Sequence, residues 1–162
     1  MNFLGSMTLF CLVALMAFAG CSNETNVAET AQPRFKPGQV WKYQTRVGDE
    51  DSRLIILKLE DHAKLGEIVH IHVSNVKIPT KFDFDGEFKE VQHIPIELTY
   101  LENSVIELIG ADGRIPDYIN GYNVWSNAVS SGGAGAFKMD VADCIDYTAQ
   151  AVKSQLGSTT GG

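Results

Sequence analysis

Charge is missing from the first twenty residues. Met1 to Gly20 contains no Asp, Glu, Lys or Arg, and Met7 to Ala19 (MTLFCLVALMAFA) is almost wholly apolar, the length of a secretory h-region. Cysteine is scarce as well, with only Cys11, Cys21 and Cys144 in 162 residues. Cys11 lies inside the apolar run and Cys21 just after it, so in an exported domain Cys144 has no partner for an internal disulfide. It reads as a small buried residue, since a catalytic thiol asks for a neighbouring cation or histidine. Basic residues are outnumbered, 13 Lys and Arg against 20 Asp and Glu, for a net charge of −7. That excludes the basic footprint of a nucleic-acid binder and disfavours a domain lying flat on anionic lipid. No Ser/His/Asp ordering, paired-acid constellation or nucleotide fingerprint stands out. Gly132, Gly133 and Gly135 lack the Lys and Ser/Thr of a P-loop, and read as the end of a helix.

What the N-terminus does contain is LMAFAGC, Leu15 to Cys21, with the small residues Ala19 and Gly20 directly before the cysteine. This resembles the lipobox of bacterial lipoproteins, in which the cysteine thiol is diacylated and becomes the mature N-terminus. The resemblance implies a signal peptide over residues 1–20 and a covalent lipid on Cys21. It places the domain on the periplasmic side of a membrane, and Ser22 after the cysteine implies the outer membrane in a Gram-negative host. The departure is an n-region without Lys or Arg. An uncleaved anchor over the 18 residues Phe3 to Gly20, near the ~17–25 needed to span a bilayer, and simple cleaved secretion are the alternatives.

Residues 21–33 are polar and aperiodic after the cysteine and read as a flexible tether, about 20 Å long root-mean-square. The remainder reads as one domain over 34–153, followed by a polar, disordered tail over 154–162. Its charge is uneven: residues 34 to 89 carry ten basic and nine acidic side chains, residues 90 to 153 three and nine. Trp41, Tyr43 and Val47 alternate with polar neighbours after a Pro37-Gly38 turn, a half-buried strand. Arg53 to Glu60 and Glu67 to Ile78 alternate likewise, and the short loops favour an antiparallel meander. Phe82, Phe84, Asp85-Gly86 and Phe88 read as a hairpin or as an irregular excursion capping the sheet. Leu98, Leu101, Val105 and Leu108 then predict a helix over Ile96 to Ile109. A second helix is expected from Asp117 to Val129 with Gly121 at its middle, then a short strand at Phe137 and Met139, then a third helix after Asp140. The expected fold class is α+β, an antiparallel sheet of three to five strands covered on one face by about three helices. The stretches FKPGQVWKYQTR, GEIVHIHV and GYNVWSNAVSSGGAGAF are similar to a group of small bacterial proteins sharing the opening turn and strand. That likeness implies a common fold and transfers no site.

His70 and His72 project from one strand face, a spacing that lets two imidazoles meet one metal ion. His93 or His62 would be the third ligand, with Asp83, Asp85 or Glu90 behind. Otherwise the histidine face is the solvent side of the sheet. The run around Asp83, Asp85 and Gly86 fails as a calcium loop, because Lys81 and Gln92 stand where acids are needed. Trp41, Tyr43, Tyr118, Tyr122 and Trp125 have polar tips suited to a ligand groove, although their spacing also suits a core. The favoured reading is a non-catalytic lipoprotein domain that binds an envelope protein or glycan, inhibitor-like or immunity-like in view of its acidic helical half. The alternative is a metal-binding protein or metal-assisted enzyme built on His70 and His72.

Overall fold

The computed structural model describes residues 34–79, 87–111 and 113–158. Cys21, the apolar run before it, the tether and residues 80–86 with Phe82, Phe84, Asp83 and Asp85 lie outside the described residues. Among the described residues no helix is long and apolar enough to cross a membrane.

Five strands form one antiparallel sheet: β1 (Val40–Tyr43), β2 (Arg53–His62), β3 (Gly66–Pro79), β4 (Glu87–Glu97) and β5 (Val105–Gly110). The spatial order is β4-β3-β2-β1-β5. Three helices accompany it, α1 (Leu98–Ser104), α2 (Ile119–Ser130) and α3 (Val141–Ser158). The α+β class is therefore as the residue pattern indicates. The opening turn is pinned by Gly38, whose φ of 86° is left-handed; its N–H donates to the Ile56 carbonyl and its carbonyl accepts from Gly113 N–H, each at 2.8 Å.

Register sets the two faces. Leu54, Ile56 and Leu59 pair with Val73, Ile71 and Val69, and these pack with Leu101 of α1 and with Val141, Cys144 and Ile145 of α3 into the main core. Fully burying one such aliphatic side chain contributes about 1.5–3 kcal/mol. The helices do not all share that face: Trp125 and Val129 of α2 pack on Ile68, on the opposite side. The histidine face is consequently a second, covered surface rather than the wet side of the sheet, and His70 is fully buried.

Three local expectations change. The helix expected over Ile96 to Ile109 stops at Ser104, and Val105 to Gly110 becomes β5, paired with β1. The β-branched Val105, Ile106 and Ile109 suit a strand, and β1 needed a partner opposite β2, so pairing overrode the helical spacing. The first strand ends at Tyr43, leaving Val47 fully exposed in a loop. α3 continues past Ser154 to Ser158, and the returning strand at Phe137 is a single parallel bridge to Ile96.

Candidate functional site: a buried histidine pair beside an apolar groove

β2, β3 and β4 place Lys58, His70 and Pro95 in one cross-strand row, and an irregularity in β4 brings His93 alongside. His70 Nδ1 and His93 Nε2 lie 2.9 Å apart, one donating to the other, with the rings stacked at 14°. α2 closes over the pair: Tyr122 and Trp125 meet the His70 ring edge-on at 5.2 and 4.8 Å, and Tyr118 lies parallel to His93 at 6.3 Å. The helix comes this close because Gly121 has no side chain; a Cβ there would stand 3.0 Å from His93 Cβ. Trp125 is anchored by Nε1–H donating to the Gly135 carbonyl at 2.8 Å.

Behind His70 sits a charged trio. Lys58 Nζ donates to Glu60 and, at 2.6 Å, to Tyr122 Oη, while Tyr122 O–H donates to Glu60 at 2.8 Å. His70 Nε2 is buried without a hydrogen-bond partner, 3.6 Å from the Glu60 carboxylate. Burial lowers the His70 pKa to about 4, aided by neighbouring His93 and opposed by Glu60, and burial takes His93 to about 4 as well. Burial alone would raise Glu60, but the bonds from Lys58 and Tyr122 hold its carboxyl below the ordinary value. At neutral pH the pair is thus two neutral imidazoles beside an internally neutralised ion pair.

Of the metal candidates, then, His70 and His93 meet and His72 does not join them. His72 faces Glu90 at 3.6 Å, with its Nδ1 buried and unpartnered, and His62 lies instead near Trp125. Among the described residues no group of three or more His, Cys, Asp and Glu is placed to hold a metal ion. The Lys58 ammonium already supplies the cation to Glu60 and Tyr122. Of the aromatic candidates, Tyr118, Tyr122 and Trp125 converge on the histidines. Trp41 and Tyr43 belong to the opposite core, where Trp41 Nε1–H donates to Gln39 and Tyr43 shares a 2.7 Å bond with Ser52.

His93, half-buried, is also the link to the surface. A groove runs along β4 between α2 and α3 in two adjoining parts of about 650 and about 520 Å³, which share His93, Gly121 and Val124. Its walls are mainly apolar: Val124, Ala128, Phe137, Met139, Tyr147 and Val152. Val124 is 64% and Tyr147 58% exposed. Sequence reasoning missed Lys58, Glu60 and Gly121, although Lys58 and Glu60 alternating with Leu57 and Leu59 and a glycine interrupting an aromatic stripe were visible signals. No protein-family model, curated protein or solved structure matches the chain.

Proposed function

We propose that this chain is a lipid-anchored envelope protein whose single α+β domain is a non-catalytic binding module. The groove between α2 and α3 supports this reading: it is concave, largely apolar and walled by exposed Val124 and Tyr147, the character of a binding surface. The buried pair behind it supports a rigid wall: the imidazoles bond each other beneath Tyr122 and Trp125, and among the described residues no Ser, Thr or Cys is hydrogen-bonded to either ring as an activated nucleophile would be. Attachment through a diacylated Cys21 at the outer membrane, with the tether as spacer, would hold the groove near other envelope components. An inhibitor or immunity role toward one of them fits a partner gripped without turnover.

Two experiments test the proposal. Cys21→Ser should abolish incorporation of labelled fatty acid and release the protein from the membrane; retention of that variant would refute the anchor. A photoreactive phenylalanine analogue at Val124 should crosslink a discrete partner in cells, whereas the same group at the fully exposed Val47 should not. Identical crosslinking from both positions, or none from Val124, would refute the groove.

A further inference from the structure

The groove runs beside a strand edge, and that restricts what can fill it. β4 is an outer strand of the sheet, so one row of its backbone N–H and C=O groups faces away from β3. At the downstream end the chain fills that row itself. Phe137 N–H donates to the Pro95 carbonyl at 2.8 Å, and Glu97 N–H donates to the Phe137 carbonyl at 3.0 Å. Upstream, from Glu90 to His93, no strand among the described residues pairs with the outer side of β4, and there α2 and α3 stand on either side.

Each class of occupant meets this geometry differently. A hydrocarbon chain would cover the outward backbone groups and leave them without partners, which is unfavourable. A folded domain with no free strand edge would likewise offer the row no ladder of partners. A single extended polypeptide pairs with the row and lays alternate side chains against the two walls. Charge selects further. α2 contains no charged residue, and α3 presents Tyr147, Thr148 and Val152; the charged lining residues are Lys138, already paired with Glu97, in one part and Glu90 in the other, so a segment charged at its centre would find no counter-ion where the two parts meet. Pro95 has no N–H to offer, which places the added ladder upstream of it, along roughly 13 Å of strand.

Resting on the binding-module reading above, we infer that the groove binds an extended polypeptide segment, apolar and uncharged at its centre, as a sixth strand added to β4. The probe is a random decapeptide display library panned on the full chain. Enriched sequences should alternate β-branched or aromatic residues and lack charge at their centre. They should bind Val124→Asp at least about tenfold more weakly, with the variant's melting temperature unchanged because Val124 is exposed. Binding should be lost on N-methylation of alternate peptide amides, and amide exchange at residues 90–93 should slow in the complex.

Enrichment of helical or charged peptides, or binding indifferent to N-methylation, would overturn the inference. If lauric acid or a second copy of the chain occupies the groove instead, and Val124→Asp removes that binding, the added strand falls while the binding module stands. If wild type and Val124→Asp bind every probe alike, both fall.

Discussion

Replacing His70 by phenylalanine should remove a defined part of the domain's sensitivity to acid. His70 is fully buried, and its pKa falls to about 4, chiefly through burial, against about 6.5 in the unfolded chain. The folded state therefore binds fewer protons than the unfolded state between pH 6.5 and 4. Stability contributed by the neutral ring is present at pH 7.5 and is lost as pH falls through that window. At pH 5.5 the unfolded ring is roughly 90% protonated and the native ring about 3%, a slope of about 1.2 kcal/mol per pH unit. Integrated from pH 7.5 to 4.5, His70 accounts for about 2.5 kcal/mol. His93 and His72 shift in the same direction. The Glu60 carboxyl, held low, begins to lose its contribution only as pH falls through the ordinary carboxylate value, at the lower end of this interval. Urea unfolding at pH 7.5, 6.5, 5.5 and 4.5 gives the slope, and His70→Phe should flatten it by about 2 kcal/mol over the series. An unchanged slope in the variant, or a native His70 ring titrating near pH 6.5 by NMR, would refute the burial argument.

Other consequences are simpler to measure. The Cys144 thiol, buried with its pKa raised to about 12 by burial and by Asp143 and Asp140, should resist Ellman's reagent in the native protein and react at once in urea. Asp49, whose carboxylate takes Arg46 and the Lys77 N–H and is almost fully buried, should cost about 2 kcal/mol as Asp49→Ala, because the Lys77 N–H loses its partner while Arg46 keeps only Asp146 and the Lys77 carbonyl; a change in urea midpoint equivalent to less than about 0.5 kcal/mol would contradict this. Untagged protein titrated with zinc should keep its melting temperature, since the Glu60 and Tyr122 oxygens already accept from Lys58; saturation at a hundredfold excess over a dissociation constant would instead add about 2.7 kcal/mol. Gly121→Ala should fail to deliver the roughly 1 kcal/mol that helix propensity offers, because its Cβ meets His93 at 3.0 Å; a full gain in stability would mean that β4 yields freely.

The strands were legible wherever one side chain in two was apolar. β3 alternates so regularly that its faces, Val69-Ile71-Val73 and Ile68-His70-His72, follow from the period of two alone. Which face met water did not follow, because alternation shows that the faces differ and says nothing of a helix arriving from fifty residues away. The α1–β5 segment failed for a related reason. Leu98, Leu101, Val105 and Leu108 satisfy a helical repeat, yet the vacant edge of β1 decided the outcome for Val105 onward, and an edge seeking a partner leaves no mark in the segment that supplies it.

The site shows the same division. Its residue types were visible: His70, His93, Tyr118, Tyr122 and Trp125 all stood out as polar-tipped rings. Their convergence depends on the irregularity of β4 at His93, on the cross-strand placement of Lys58 and Glu60, and on α2 crossing at a glycine, none of which is local. Gly121 shows this most sharply. Within the sequence it weakens the helix that carries the aromatic stripe, whereas in three dimensions it lets that helix approach His93 closely enough to cover the imidazoles. The same approach leaves Val124, one turn on, standing over the outer side of β4. Burial of the histidines and construction of the groove are therefore two results of one close contact. A change that pushed α2 away from His93 should raise the pKa values of the pair and widen the groove together, and separate responses of the two would show that they are independent.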